Sequence, residues 1–325
     1  MSAPSLFLWT DCGTLPAKEL TFMIDFQRLN PTQKDQYNNL LFSGPERGCE
    51  YSFSNLILWG HQKAAFLHGC VLIFSHFHGK SVYPYPVGTG DKKAAIEAVL
   101  RDAEERGIPC RITGITNADR EELERIFPGK FLICANRDSF DYVYDINDLA
   151  DLRGRKFQSK RNHFNRFCAD HPNHQAVPLT SDLLPQVKEF VENWFARRRE
   201  NDPQEDFLLE NLAMARAFNH WDDLGMDGIV LMDDGNIMAI TLGSRLSPDT
   251  FDIHFEKARD DVSGAYNAIN CHFARYLRLK YPDVKFMNRE DDIGLEGLRN
   301  AKLSYRPHHL VEKSWAYVQE YIHED

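Results

Sequence analysis

Residues 251–257 read Phe-Asp-Ile-His-Phe-Glu-Lys, a pattern with direct chemical meaning. In an extended strand successive side chains point to opposite faces, so Asp252, His254 and Glu256 are expected on one face and Ile253, Phe255 and Lys257 on the other. Burying three titratable groups in a row is costly unless they have partners. Glu256 or His254 on such a face is a candidate general base, its pKa tuned by burial. The same spacing also suits an exposed face or an internal salt bridge.

A turn follows directly. Asp261-Val262-Ser263-Gly264 opens a helix expected over 264–280, with Ile269, Phe273, Tyr276 and Leu277 inward and a strand at 284–287 beyond it. Ser263 is suited to cap the helix, and Gly264 lets a ligand approach the backbone. The first helical turn, with Ala265, Tyr266 and Asn267, would offer N–H groups and the positive end of the helix dipole to a phosphate. An ordinary capped helix has the same look. The unit occurs twice. Ser81–Gly90, a helix over 91–106 and the run Cys110–Ile115 repeat the order strand, glycine turn, helix, strand. In each copy the turn glycine, Gly90 or Gly264, stands 20 residues before the next strand. This predicts a duplicated fold with a site near one turn or between the halves.

Two further segments carry polar chemistry. Asn288-Arg289-Glu290-Asp291-Asp292 lies just past a strand C-terminus, where open α/β sheets bind ligands; Asp292 is equally suited to capping the next helix. Behind it, Arg299 and Lys302 end a helix whose dipole they would compensate. Residues 152–169 contain no acid but six bases, Arg153, Arg155, Lys156, Lys160, Arg161 and Arg166, interleaved with Phe157, Phe164 and Phe167 near one helical face. That pattern fits a helix with an apolar seam, or an anion site for a cofactor phosphate or an RNA end.

The elements that must position these residues are marked along the chain. Helical patterns fall at 33–42, 91–106 (Ile96, Val99, Leu100 and Ala103 in one stripe), 117–127 with Asn117 as cap, 182–199, 205–221 and 293–303. Strands are expected at 65–67, 71–77, 81–85, 110–115, 131–134, 228–232, 237–243, 250–257, 284–287 and 309–317. Phe53–Trp59 is a Trp-ended apolar stretch, and 136–175 reads as a connecting region. Asp233-Asp234-Gly235-Asn236 is a strong hairpin signal. Alternating strands and helices predict an α/β (α+β) fold, divided as residues 1–150 and 151–325.

Bulk properties narrow the function. The net charge of −10 argues against a generic nucleic-acid coat. Seven cysteines, odd in number, widely spaced and without C-x-x-C, predict reduced thiols and a cytoplasmic protein. No signal peptide or membrane span is expected; the longest uncharged apolar run, Ala64–Gly79, is too short to cross a bilayer. The histidine groups His76-Phe77-His78, His171/His174 and His308-His309 have no acid or cysteine at ligand spacing, so no metal is assigned. P-loop, α/β-hydrolase and zincin motifs are missing from the sequence.

Residues 157–167, Phe-Gln-Ser-Lys-Arg-Asn-His-Phe-Asn-Arg-Phe, and 288–305, running from Asn288-Arg289-Glu290-Asp291-Asp292 to Ala301-Lys302-Leu303-Ser304-Tyr305, resemble two signature segments. They are those of soluble proteins related to the C-terminal domain of phosphatidylglycerol lysyltransferase. The resemblance runs from about Ile24 to the end. It implies two tandem GNAT-like N-acyltransferase domains, each a mixed sheet flanked by helices, akin to the Fem-type aminoacyltransferases. It also implies acyl or aminoacyl transfer from acyl-CoA or aminoacyl-tRNA, used as donor substrates with no tightly bound cofactor, to an amine or hydroxyl of a small-molecule, lipid or peptide acceptor. The multi-span membrane domain of the lysyltransferases is not in this sequence. The acyl-CoA loop Q/R-x-x-G-x-G/A is not matched by Asp261-Val262-Ser263-Gly264-Ala265-Tyr266, which lacks the leading cation and the final small residue.

On this reading Glu256 (or His254) deprotonates the acceptor and Tyr266 or Tyr305 protonates the leaving group. Ser263, Gly264, Ala265, Asn267, Lys160 and Arg161 hold the donor's phosphate. Asn162, Asn288, Arg289, Glu290 and Lys302 contact substrate. The alternative is a non-catalytic module of the same fold that binds RNA or an acidic partner through residues 153–166. Donor, acceptor and oligomeric state do not follow from the sequence.

Overall fold

In the computed structural model, the described residues are 22–77, 79–201 and 207–319. The N-terminal segment read for a signal, Cys12, His78 and the start of the helix expected at 205 lie outside them.

Helices α1 (Lys34–Phe42) and α2 (Phe53–Leu58) lead into β1 (Lys63–Leu67), β2 (Cys70–Phe77) and β3 (Lys80–Pro84). The apolar stretch ending at Trp59 is thus helical. Then come α3 (Lys92–Glu105), β4 (Arg111–Ile115), α4 (Asn117–Ile126) and β5 (Phe131–Ala135). The expected connector holds β6 (Asp141–Asp145), α5 (Ile146–Asp151) and α6 (Gln158–Asp170). Next are β7 (Gln175–Pro178), α7 (Leu184–Asn201), α8 (Leu208–Asn219), β8 (Asp227–Asp233), β9 (Asn236–Arg245) and β10 (Thr250–Ala258). The chain continues through α9 (Ala265–Lys280), β11 (Phe286–Asn288), α10 (Glu296–Leu303), β12 (His309–Val311) and β13 (Ser314–Val318).

Local chemistry sets several boundaries. Asp91 caps α3 by accepting from the Ala94 N–H. Thr116, not Asn117, caps α4, in a reciprocal box with Asp119. The α3 stripe, Ile96, Val99 and Ala103, is buried against Leu72, Tyr83 and Ile112 of the first sheet. The Asp234-Gly235 turn between β8 and β9 has φ of +47° and +78° at its central residues, as a tight hairpin requires.

The strands form two mixed sheets, ordered β1-β2-β3-β4-β13-β5 and β12-β6-β11-β10-β9-β8-β7. Both repeated units are present as parallel pairs bridged by a helix: β3–α3–β4 and β10–α9–β11. Other pairings in the sheets are antiparallel. This is the tandem α/β architecture expected from the sequence.

Two strands cross the boundary at residue 150. β6 pairs with β11 and β12 in the second sheet, while β13 inserts between β4 and β5 of the first. The final strand expected at 309–317 is therefore two short strands in different sheets, with Glu312 and Lys313 between them. One hydrophobic core also joins the halves, packing Tyr37, Tyr51 and Leu58 with Phe195, Met214, Leu242 and Phe255.

Candidate functional site

The parallel pair β10/β11 forms a fork. The strands pair only over Thr250–Asp252 and Phe286–Asn288, after which β10 runs on to Ala258 without β11. The corresponding split in the first half is sealed. There the Tyr51 hydroxyl lies 3.4 and 3.3 Å from the Thr113 and Gly114 carbonyls, and Arg47 pairs with buried Asp119. A Cβ on Gly114 would stand 2.6 Å from that hydroxyl. Open polar chemistry thus belongs to the second fork.

A β-bulge reshapes the titratable strand. The register with β9 shifts between Ile253 and Phe255, leaving His254 as the extra residue. Asp252 and His254 stay on the face toward the first half, but Glu256 turns to the α9 face. The expectation of three titratable groups on one face fails for this reason: a bulge resets the two-residue period.

On the α9 face, Arg289 donates to the Glu256 carboxylate at 2.8 Å, and Asn270 lies 3.4 Å from its other oxygen. The Arg289 guanidinium sits 5.1 Å from the Tyr305 ring centroid and 5.8 Å from that of Tyr144. Asn267 donates to the Tyr305 hydroxyl at 2.7 Å, and the Lys160 ammonium rests 4.1 Å above the Tyr305 ring. Burial, and then Arg289, lowers the pKa of Lys160. Burial would lower that of Arg289, but Glu256, Tyr144 and Tyr305 outweigh it and raise the value. Burial raises the Tyr305 phenol, so it keeps its proton. Glu256, Tyr305, Asn267, Lys160 and Arg289, singled out separately in the sequence, therefore meet around one ring.

The opposite face is a buried polar cluster. His254, whose side chain is 0% exposed, places Nδ1 at 3.3 Å from Glu290 and 3.5 Å from Asp252; its Nε2 is 2.8 Å from the Ser244 hydroxyl. Asn55 of α2 donates to Glu290 at 2.9 Å and lies 3.4 Å from Asp252. Burial, reinforced by Glu290 and Asp141, pushes the Asp252 carboxyl well above its usual range. Asp252, His254 and Glu290 each offer a ligand atom, all within 4.8 Å of one another, as do Cys49, Glu50 and Asp141 next to them. Lys313 donates to Glu50 and Asp141, both at 2.6 Å. Burial disfavours its charge, but Asp141, Cys49 and Glu50 overcome this and hold its pKa above the ordinary lysine value.

The remaining candidates are placed as follows. Asn288 donates to Asp141 at 2.9 Å and accepts from the Glu290 N–H. The Lys302 ammonium donates to the carbonyls of Arg289, Glu290 and Asp291, shaping the loop from beneath. Arg161 donates to the carbonyls of Leu152 and Gly154, Asn162 is exposed, and Tyr266 is 39% exposed with its phenol raised by burial to about 12. Gly264, not Ser263, is the N-cap residue, and no side chain caps α9. Gly264 has φ +82°, and a Cβ there would stand 2.9 Å from the His163 carbonyl, so α6 packs against the turn expected to face a ligand. The Ala265 N–H is occupied by the Val262 carbonyl at 3.3 Å. In space, the acid-free stretch is not without acids: Lys156 pairs with Asp148, Arg153 with Asp151 and Arg166 with Asp170. Asp292 accepts from the Gly294 N–H ahead of α10, whose N-cap is Leu295.

Cys49, Glu50, Asn55, Asp141, Ser244, Asn270, Tyr144 and Lys313 were missed as candidates. Ser244 is brought in by the neighbouring hairpin and Asn270 by the helix that follows, the rest by pairings distant in sequence, and no local spacing marks them.

The sequence profile described as phosphatidylglycerol lysyltransferase, C-terminal, matches residues 43–317. A crystal structure of a conserved protein of unknown function from Bacteroides thetaiotaomicron is 34% identical, with a TM-score of 0.86 over 91% of this chain and 100% of that one. L-PGS from Bacillus licheniformis shares the fold at 14% identity, TM-score 0.66, over 90% of this chain and 93% of the other. FemX does so at 10% identity, TM-score 0.57, covering 91% and 97%. An uncharacterized protein of Mycoplasmoides gallisepticum is 22% identical over 185 residues, 55% of this chain; the match spans 56% of that relative's length. No helix among the described residues is long and apolar enough to cross a membrane. With the tandem architecture, the signature segments at the second fork and a profile match over most of its length, the chain belongs to the phosphatidylglycerol lysyltransferase C-terminal family.

Proposed function

We propose that this chain is an aminoacyltransferase that moves an aminoacyl group from the ester of a charged tRNA to an amine or hydroxyl acceptor at the second fork. The observation that carries this reading is the convergence of Lys160, Glu256, Asn267, Arg289 and Tyr305 where β10 and β11 part. The acceptor attacks the ester carbonyl while Glu256 takes its proton. The bond to the ribose oxygen breaks, and the Tyr305 phenol returns a proton to that oxygen. Lys160 and Arg289 supply positive charge for the donor's terminal phosphate and for the carbonyl oxygen as it becomes negative. Of the two candidate bases, Glu256 is favoured because it keeps 10% of its side chain exposed, whereas that of His254 is fully enclosed.

An ester donor is favoured over acyl-CoA by the packing at Gly264. The turn that would cradle a pyrophosphate is backed by the His163 carbonyl, a hydrogen-bond acceptor where a phosphate needs donors. Phosphatidylglycerol, which the family's description names, is the first acceptor to try.

Thermal shifts with charged tRNA, uncharged tRNA, acetyl-CoA and CoA test the donor. Charged tRNA alone should stabilise the protein, and Lys160→Glu should abolish the shift. In a transfer assay Glu256→Gln should lower turnover about 10²–10⁴-fold. A shift with CoA alone, or unchanged turnover in Glu256→Gln, would refute the reading.

A further inference from the structure

The buried face of the fork has features that aminoacyl transfer does not use. Asp252, His254 and Glu290 come from both tines of the fork, with Asp252 and His254 on β10 and Glu290 just past β11. Asp252 is 0% exposed and Asn55 is 4% exposed. Asp252 Oδ1 and Asn55 Oδ1 are buried and have no hydrogen-bond partner. A carboxylate oxygen enclosed without a donor is costly, and the Asp252 side chain lies in one cluster with the carboxylate of Glu290. The neighbouring ammonium of Lys313 is already engaged by Glu50 and Asp141. In the tautomer that donates Nε2–H to the Ser244 hydroxyl, 2.8 Å away, the lone pair of His254 Nδ1 faces Asp252 and Glu290. A second hydrogen bond of this kind commonly orients a metal-bound imidazole.

From this geometry we propose that Asp252, His254 and Glu290 form a divalent metal site that ties β10 to β11 where their backbone pairing stops. One imidazole and two carboxylates suit a zinc- or manganese-class ion, with the remaining positions open to water. Histidine spacing in the sequence could not reveal it, because residues 254 and 290 meet only through the parallel pairing. The ion would hold the fork at a fixed width and so set the separation of Glu256 and Arg289 on the other face. Binding of the ion can be measured without the donor or the transfer reaction.

The experiment is elemental analysis of the purified full chain, then dialysis against EDTA and titration with Zn²⁺, Mn²⁺ and Mg²⁺, followed by calorimetry and thermal melting. One equivalent of Zn²⁺ or Mn²⁺ should bind and raise the melting temperature by about 4 °C at a hundredfold excess over Kd. Asp252→Asn and Glu290→Gln should lose both effects. His254→Gln, which keeps a polar group toward Ser244 and removes Nδ1, serves if either carboxylate variant fails to fold. His309→Ala, at the exposed His308-His309 pair, should bind as the wild type does. No bound metal and no shift with either ion would overturn the site, as would a shift that persists in all three ligand variants.

Discussion

Replacing Lys313 with methionine tests the buried electrostatics that join the two sheets. Lys313 stands between β12 and β13 with its side chain 4% exposed, and its ammonium lies 2.6 Å from a Glu50 oxygen and 2.6 Å from an Asp141 oxygen. Methionine fills much of the same volume but leaves both carboxylates facing an apolar thioether. Breaking a buried pair from one side typically costs about 3–5 kcal/mol. Unfolding entropy of roughly 2 cal/mol/K per residue gives about 0.7 kcal/mol/K for a chain of this length, so the melting temperature should fall by about 4–7 °C. The loss should depend on pH. In the wild type the raised Lys313 pKa keeps its contribution constant at any pH below the ordinary lysine value. In the variant Glu50, already raised by burial, loses the cation that lowers it. The native state then holds a proton that the unfolded chain releases above about pH 4, so stability falls as pH rises through the Glu50 pKa. Denaturant unfolding of both proteins in EDTA at pH 5 and pH 8 should give the smaller deficit at pH 5. A deficit below about 1 kcal/mol at pH 8, or one equal at both pH values, would show that Lys313 does not hold the cluster together.

Three more outcomes are expected. Gly264→Ala should lower stability by at least 1–2 kcal/mol in a thermal melt, because a left-handed φ costs a side chain about that much before the push on His163 is counted; an unchanged melt would mean α6 can retreat from the turn. Asp292→Asn should cost about 3 kcal/mol at pH 7, since it leaves Arg137 and Arg299 facing a neutral group. Burial raises the Asp292 carboxyl, but bonds from Arg299, Tyr142 and the Gly294 N–H outweigh it and hold it well below the usual range. Its contribution is thus present above about pH 4 and lost as pH falls further, and the wild-type and variant unfolding curves should converge in acid. Tyr305→Phe should slow transfer while leaving charged-tRNA binding within about twofold, because the ring under Lys160 remains and only the phenol is lost; equal loss of binding would make Tyr305 a binding residue.

Much of the architecture was readable from periodicity. The stripe of Ile96, Val99 and Ala103, the Asp234-Gly235 turn and the doubled strand–turn–helix–strand unit are local patterns, and local patterns survive into structure. The acid-free stretch 152–169 misled because its compensating acids, Asp148, Asp151 and Asp170, stand just outside the window. The bulge at His254 was not readable: it depends on register against β9, and nothing in residues 251–257 announces it. The partners of the polar cluster were hidden for a related reason. Lys313 meets Glu50 across more than 250 positions, and Asp141 meets Asn288 through a strand that sequence order assigns to a connector. What a glycine implies was also only half legible. Gly264 does permit close approach, but the group that approaches is another helix of the same chain.

The insertion of β13 between β4 and β5 bears on how this protein is made. Ser314 pairs with Ile115, about 200 positions earlier, and with Ala135 on its other side. During synthesis, β4 and β5 must therefore wait with facing edges unpaired while the whole second half emerges. Open strand edges invite pairing with other chains, and pairings so distant in sequence form slowly. Until that last strand arrives, the first half carries two strand edges open to such pairing. A nick or truncation ahead of Ser314 would remove not a tail but the middle of a sheet laid down at the start.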